Sequence, residues 1–137
     1  MRIVLDTNVL VSGLLNPYGP SGRIVQGVAA GELVVCFDAR IICEYREVLA
    51  RPAFPFRMEQ IDALLEEIRA EGEPVSTHPL ASRLPDPDDE PFLEVAVAAG
   101  ADYLVTGNLR HFPAGHRSGI RVVSPAKFLE AFRKDAE

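Results

Sequence analysis

The chain has 137 residues and a formal net charge of −6, with 47% hydrophobic and 25% charged residues. This size and composition are ordinary for a soluble globular protein, so we expect one domain over residues 1–137. The acidic balance argues against a broad basic surface that would coat nucleic acid nonspecifically. It leaves open a nucleic-acid site in which divalent cations offset clustered carboxylates.

The sequence carries no membrane or secretion signal. No apolar run approaches the ~20 residues that span a bilayer, and the chain opens on the strand-like stretch RIVLD instead of a signal peptide. We therefore expect a cytoplasmic protein. Cys36 and Cys43 lie in apolar segments without C-x-x-C spacing, which favours two small core residues over a metal or redox pair.

Strand-like and helix-like segments alternate along the chain. The strand-like segments are RIVLD (2–6), LVVCF (33–37), PVST (74–77) as a short edge strand, DYLVT (102–106) and IRVVS (120–124). Apolar periodicity and capping residues predict helices over 21–32, 38–50, 58–70, 90–99 and 125–134. This alternation predicts an α/β layered domain with a mostly parallel central sheet.

Polar side chains stand where the strands of this sheet would end. Asp6 ends the first strand and Asn108 follows the fourth. Glu44 lies about two turns into the helix after the second strand, and Asp89, with Asp88 beside it, precedes a later helix. Because functional groups of open parallel sheets collect beyond the carboxyl ends of the strands, we expect these groups at one edge.

Clustered carboxylates of this kind indicate a metal. They repel one another, and holding them ionised normally requires a cation. Hard oxygen ligands favour Mg²⁺ or Mn²⁺ over zinc, and such ions promote phosphodiester hydrolysis. Thr7, Asn8 and Thr106 add hydroxyl and amide groups that could hold water or a phosphate oxygen.

Each acid taken alone also has an ordinary structural explanation. Asp6 could bond the turn after the first strand, and Asp88 or Asp89 could cap the following helix. Glu44 could be a solvated helix residue. Only the expected co-location of the acids favours catalysis.

Four stretches of the sequence together form a family pattern. They are IVLDTNVLVSGL (3–14), Glu44 in the helix after the second strand, DPDDEPFLEVAVAAGADYLVTGN (86–108) and the RHF that follows it. They resemble the PIN domain, and more narrowly the VapC-like toxins of toxin–antitoxin pairs. The resemblance spans essentially the whole chain and implies a Rossmann-like three-layer sandwich with strand order 3-2-1-4-5.

The resemblance also implies an activity, metal ligands and partners. It implies an endoribonuclease that hydrolyses RNA with Mg²⁺ or Mn²⁺, works as a homodimer and is blocked by a cognate antitoxin. The metal-binding acids of the family match Asp6, Glu44 and Asp89, with Asp88 as the alternative for the third. Asn8 matches a residue that supports the first acid.

At Asn108 the sequence departs from the family pattern. The fourth, less strict acidic position of the family falls there, and Thr106 matches the Ser or Thr two residues earlier. An amide keeps an oxygen donor and removes a charge, which predicts metal affinity lower by ~10–100-fold but not abolished. The alternative is a degenerate, non-catalytic PIN domain that binds RNA or a protein.

Basic residues near the expected edge are weaker candidates, for RNA contacts. They are Arg40, Arg46 and Arg110, with His111 close by. For the arginines the simpler explanation is a solvated surface charge. For His111 it is a position on the loop surface or a bond to the backbone.

Two other enzyme classes fit the sequence less well. A phosphatase of the haloacid dehalogenase type needs a second aspartate two residues after the first, and Asn8 stands there. No G-x-G-x-x-G follows the first strand, and the glycines of SGLLNPYGPSG have the wrong spacing and no immediate helix entry, so we expect no nucleotide cofactor.

Overall fold

A five-stranded parallel sheet organises the computed structural model, which describes residues 1–136. The strands are β1 (Arg2–Leu5), β2 (Val34–Phe37), β3 (Glu73–Pro74), β4 (Tyr103–Val105) and β5 (Val122–Val123). They lie in the order β3-β2-β1-β4-β5, and each neighbouring pair is parallel. This order confirms the predicted Rossmann-like α/β sandwich.

Helices connect the strands and cover the sheet. They are α1 (Thr7–Leu15), α2 (Pro20–Ala29), α3 (Ala39–Leu49), α4 (Met58–Glu71), α5 (Glu90–Ala99) and α6 (Pro125–Ala136). α5 packs against β1, β2 and β4, while α4 packs against β2 and α6 against β4. Within residues 1–136, none of these helices combines the length and apolarity needed to cross a bilayer.

The central strand β1 is buried on both faces. Ile3, Val4 and Leu5 are all fully buried although successive side chains of a strand point to opposite faces. A continuous apolar run is therefore required here, as in other parallel sheets that helices cover on both sides. The hydroxyl of Tyr45, on α3, donates a buried 2.6 Å hydrogen bond to the Leu5 carbonyl. This bond fixes α3 against the carboxyl end of β1.

Strand register places the functional edge of the sheet. Leu5 of β1 pairs with Val105 of β4, so the residues that follow them, Asp6 and Thr106, are neighbours. The Asp6 amide donates to the Val105 carbonyl at 2.9 Å. The two chain segments are thus held together by backbone hydrogen bonds up to the first residue beyond each strand.

Helix α1 is the main departure from the sequence prediction. The sequence pattern assigns no helix directly after the first strand, yet α1 begins at Thr7. Apolar residues are spread around α1 without the single stripe that marks an amphipathic helix, so periodicity gives no signal. Helix entry after β1 is immediate, and this places Thr7 and Asn8 beside Asp6.

Other predicted boundaries differ by a few residues. α2 ends at Ala29 instead of residue 32, because Gly31 takes a positive φ of 77°. β3 covers Glu73–Pro74 instead of 74–77, because its partner β2 ends at Phe37, whose carbonyl accepts the last bond of the ladder from the Val75 amide at 3.0 Å. Cys36 is buried as expected, but the prediction for Cys43 is wrong, because that side chain is exposed on α3.

Candidate active site

A cavity of about 400 Å³ opens at the carboxyl edge of the sheet. Its lining includes five carboxylates from three separate segments: Asp6, Glu44, Asp86, Asp88 and Asp89. Thr7 and Asn8 line it too, together with Val11, Val48, Arg51, Phe54 and His111. The structure therefore brings together the acids expected at this edge, while Asn108 is not among the described lining residues.

Asp6 is held by side chains from both strand ends. The residue is only 5% exposed, and its carboxylate accepts a 2.7 Å hydrogen bond from the hydroxyl of Thr106, which is itself fully buried. The Asn8 amide donates to the same oxygen, Oδ2, at 3.3 Å. Asp6 thus has a fixed orientation, with Oδ2 carrying both side-chain bonds.

Asn8 also fixes the turn after β4. Its Oδ1 accepts a 3.0 Å hydrogen bond from the Gly107 amide. A Cβ added at Gly107 would lie 3.2 Å from that same Oδ1, so only glycine permits this close approach without displacement. Asn8 therefore supports Asp6 from one side and the Thr106–Asn108 turn from the other.

Glu44 is a member of the cluster and not a freely solvated helix residue. It is half-buried on α3, and the hydroxyl of Thr7, at the start of α1, donates to its Oε2 at 2.6 Å. Burial raises the pKa of Glu44, and repulsion from Asp6 and Asp88 adds to the effect. The residue thus faces the other acids across the gap between α1 and α3.

Asp89 stands at the start of α5 without serving as a side-chain cap. Its residue is 8% exposed, and its carboxylate accepts no cap hydrogen bond from the helix within the described chain. The preceding 3₁₀ turn, Pro87–Asp89, is capped instead by Asp86, whose Oδ1 accepts from the Asp88 amide at 2.9 Å. Asp88 is exposed. Helix capping therefore does not explain the buried carboxylate of Asp89.

The ionised forms of the buried acids are unfavourable when no cation is bound. Burial raises the pKa of Asp6, although the hydrogen bond from Thr106 lowers it in part. Burial raises the pKa of Asp89 to about 6, and repulsion from Asp6 contributes in the same direction. A cation placed among these groups would favour their ionised forms.

Three buried side-chain atoms have no hydrogen-bond partner among residues 1–136, and two of them, Asp89 Oδ2 and His111 Nδ1, belong to residues that line this cavity. Asp6, Asp89 and His111 each offer one ligand atom, and these atoms lie within 4.8 Å of one another. Buried polar atoms are rarely left unpaired. Carboxylate oxygens are the ligands that Mg²⁺ and Mn²⁺ prefer, and Glu44 adds another carboxylate to the lining of the same cavity. The residues present therefore fit a divalent cation.

His111 lies closer to the acids than the sequence analysis predicted. It ends the 3₁₀ turn Leu109–His111, and its Nδ1 lies 3.6 Å from Asp89 Oδ2. On the other side of the ring, the side-chain nitrogen of Asn108 lies 3.1 Å from His111 Nε2. The available signal is the N-x-x-H spacing after a strand end, which lets an asparagine begin a 3₁₀ turn and reach a histidine in that turn.

The predicted RNA-binding arginines are mostly engaged elsewhere. Arg40 pairs with Asp38 at 2.7 Å and with Glu94 at 2.9 Å. Arg46 pairs with Asp62 at 2.9 Å, and Arg110 is exposed on the turn after β4. Arg51 lines the cavity instead, a position that the sequence pattern did not single out.

Comparison with known proteins identifies the family. A family model described as PIN domain matches residues 2–110, whereas no curated protein matches the chain. A chain from the solved "Structure of FitAB bound to IR36 DNA fragment" is 16% identical, with a TM-score of 0.56. That similarity covers 90% of this chain and 94% of the other, and at such low identity it shows the fold alone. With the family model spanning most of its length, the chain belongs to the PIN domain family.

Proposed function

We propose that this chain is a Mg²⁺- or Mn²⁺-dependent endoribonuclease and the toxin of a toxin–antitoxin pair. The observation that carries the proposal is the close group of Asp6 and Asp89, both buried, with the half-buried His111 beside them: one side-chain atom of each lies within 4.8 Å of the other two. Membership of the PIN family supports a nuclease. RNA as the substrate rests on the resemblance to VapC-like toxins.

Each residue of the cavity has a distinct role in this proposal. Asp6, Glu44 and Asp89 would hold the ion, which when bound polarises a phosphate and activates water for attack. Thr106 keeps Asp6 oriented through its 2.7 Å bond, and Thr7 does the same for Glu44 at 2.6 Å. Asp89 is favoured over Asp88 as the third acid, because Asp88 is exposed.

One wall of the cavity supports binding of single-stranded RNA. Arg51, exposed over 57% of its side chain and 3.9 Å from its nearest carboxylate on Glu47, is available to a phosphate. Phe54 lines the same wall and stacks on Phe56 with ring centroids 5.5 Å apart. An aromatic ring beside a metal site can stack with a nucleobase, whatever its identity.

The case for a non-catalytic module rests on the amide at position 108. The Asn108 side chain accepts from the Arg110 amide at 3.1 Å and contacts His111, so its oxygen is already engaged away from the acids. Because Asn108 faces away from the acids, the proposed ligands are the three carboxylates of Asp6, Glu44 and Asp89, and the neutral residue at position 108 removes none of them. This supports a catalytic chain over a degenerate one.

The partners and location follow from the same resemblance. We propose a homodimer in the cytoplasm, with a cognate antitoxin that covers the acidic cavity. A gene adjacent to this one should then encode a small protein whose co-expression relieves growth inhibition by this chain. Expression of the chain alone without any effect on growth would contradict the toxin role.

Cleavage of single-stranded RNA by the purified chain tests the enzymatic proposal. We expect products with Mn²⁺ or Mg²⁺ and none with excess chelator. Glu44→Gln should lower the rate at least ~100-fold, by analogy with other losses from metal centres. Glu47→Gln is the matched control, because it changes the same charge on the same helix at an exposed position. Equal rates for both variants, or no cleavage with either ion, would contradict the proposal.

A further inference from the structure

A chain of polar contacts leads from the backbone of the turn after β4 to Asp89. The Arg110 amide donates to Asn108 Oδ1 at 3.1 Å. Asn108 Nδ2 then lies 3.1 Å from His111 Nε2, and His111 Nδ1 lies 3.6 Å from Asp89 Oδ2. Each contact restricts the choice of donor and acceptor at the next.

The orientation of the Asn108 amide is fixed by the backbone. The Arg110 N–H is a donor and needs an acceptor opposite it, which the Asn108 oxygen supplies. If the amide were reversed, its NH₂ group would face that N–H, donor against donor. The NH₂ group must therefore point toward the His111 ring.

The amide orientation in turn selects one tautomer of His111. A donor at 3.1 Å from Nε2 requires a lone pair on that nitrogen. In a neutral imidazole with an acceptor at Nε2, the proton is on Nδ1. That Nδ1 is the buried atom that faces Asp89 Oδ2 and has no other partner among the described residues.

We propose that Asn108 fixes His111 as the Nδ1–H tautomer, and that this N–H positions Asp89 by donating to its Oδ2. A closer approach of roughly 0.5 Å brings the pair to normal hydrogen-bond distance. His111 is then a positioning residue that holds Asp89 for the ion, and not itself a ligand, since a ligating Nδ1 carries no proton. The inference rests on the proposed function only in taking Asp89 as a metal ligand.

Nitrogen-15 NMR of the histidine rings tests the tautomer directly. The chain has three histidines, and the signal lost in His111→Gln assigns this ring. At pH 8, above the ordinary histidine range, we expect a protonated Nδ1 and an unprotonated Nε2 in the metal-free protein. A ring protonated on Nε2 would overturn the inference.

Asn108→Asp tests whether position 108 sets the tautomer. A carboxylate accepts from both the Arg110 amide and the ring, so we expect the proton to move to Nε2. Leu109→Ala is the control, because this exposed neighbour lies in the same turn and makes no contact in the proposed chain of residues. An unchanged tautomer in Asn108→Asp would overturn the inference.

Addition of Mg²⁺ separates a positioning role from ligation. We expect Nδ1 to keep its proton when Mg²⁺ is saturating, and loss of that proton would identify His111 as a ligand instead. Absence of RNA cleavage would contradict the proposed function without changing this spectrum. An Nε2–H ring in a protein that cleaves RNA would refute only the present inference.

Conservative replacement of His111 provides a second readout. The shorter amide of His111→Asn can place an N–H near the position of Nδ1, whereas that of His111→Gln reaches toward the position of Nε2. We expect Mn²⁺ affinity measured by calorimetry to fall ~10–100-fold in the glutamine variant and by less in the asparagine variant. Equal affinities in the two variants would contradict the positioning role.

Discussion

At the scale of single residues, the geometry of Asp6 depends on Thr106. This threonine is fully buried, and its hydroxyl donates to Asp6 Oδ2 at 2.7 Å. The same hydroxyl oxygen accepts a hydrogen bond from the backbone N–H of Asn108 at 3.1 Å. One hydroxyl therefore connects the first acid to the turn that carries His111. A buried carboxylate that loses such a donor pays the cost of an unsatisfied group.

We predict that Thr106→Val lowers the free energy of unfolding by roughly 1–3 kcal/mol, because valine keeps the shape of threonine and removes the hydroxyl. The midpoint of urea unfolding measures this change. Thr106→Ser, which retains the hydroxyl, should lose distinctly less. Equal stability of the valine variant and the native chain would show that the Asp6–Thr106 bond contributes nothing to the fold.

Asp89 makes the stability of the metal-free protein depend on pH. Its pKa is raised to about 6 in the folded state, above the value of 3.8 for an unperturbed aspartate. The folded state therefore binds more protons than the unfolded state between these values, and stability falls as pH rises through this window. Near neutral pH the ionised carboxylate opposes folding unless a cation is bound.

We predict that Asp89→Asn raises the free energy of unfolding of the metal-free protein above that of the native chain at pH 7, and that this gain is smaller at pH 4. A shift of this size corresponds to about 3 kcal/mol, and screening by water in the cavity reduces the expected gain to roughly 1–2 kcal/mol. Chemical denaturation at the two pH values measures it. Asp88→Asn is the matched control at an exposed neighbour. The same pH dependence in both variants would contradict the assignment of the effect to Asp89.

Sequence reasoning could place Asp6, Glu44 and Asp89 because strand ends and helix starts are readable from the pattern. It could not place His111 beside Asp89, since that position depends on the path of the turn after β4. It also placed Asn108 among the acids, whereas the capping bond to the Arg110 amide turns the side chain toward His111. Side-chain direction within an irregular turn has no periodic signal.

At the scale of elements, the connection between α3 and α4 forms one wall of the site. This segment, residues 50–57, contains two prolines, and the Phe54 amide donates to the Arg51 carbonyl at 3.0 Å. The turn and the stacking of Phe54 on Phe56 hold Phe54 at the edge of the cavity. Preformed aromatic surfaces bind bases with little loss of conformational entropy.

We predict that Phe54→Ala raises the KM for single-stranded RNA by about 5- to 100-fold with a smaller change in kcat, since base stacking on an aromatic ring contributes ~1–3 kcal/mol. Steady-state cleavage of a short oligonucleotide measures both constants. Phe54→Tyr, which keeps the ring, should remain near the native KM. If alanine and tyrosine gave the same KM, Phe54 would have no role in binding the base.

Most elements of the sheet and helices were predictable because their apolar runs are long or their caps are strong. Asp38 caps α3 by accepting from the Ile41 amide at 3.1 Å, and Ser124 accepts from the Lys127 amide at 3.2 Å near the start of α6. α1 was not predictable from periodicity, as it lacks a clear polar face. β3 and β5 cover two residues each, and only their pairing with longer neighbours defines them.

At the scale of the whole molecule, five of the 20 acidic residues of the chain line one cavity. The net charge is −6, and several acids elsewhere in the molecule are paired with arginines, as in Arg40–Asp38 and Arg83–Glu90. Among residues 1–136, the carboxylates of the cavity form no salt bridge apart from the histidine contact of Asp89. We therefore propose that a divalent cation bound in this cavity supports both folding stability at neutral pH and activity.

Calorimetric titration of the metal-free protein with Mn²⁺ tests this claim most directly. We predict a saturable binding heat in the native chain and a loss of at least ~10-fold in affinity in Asp6→Asn. Glu47→Gln, which removes an exposed carboxylate outside the cavity, should bind as the native chain does. Absence of binding heat in the native protein, or equal affinities in the Asp6→Asn variant and the native chain, would contradict the account.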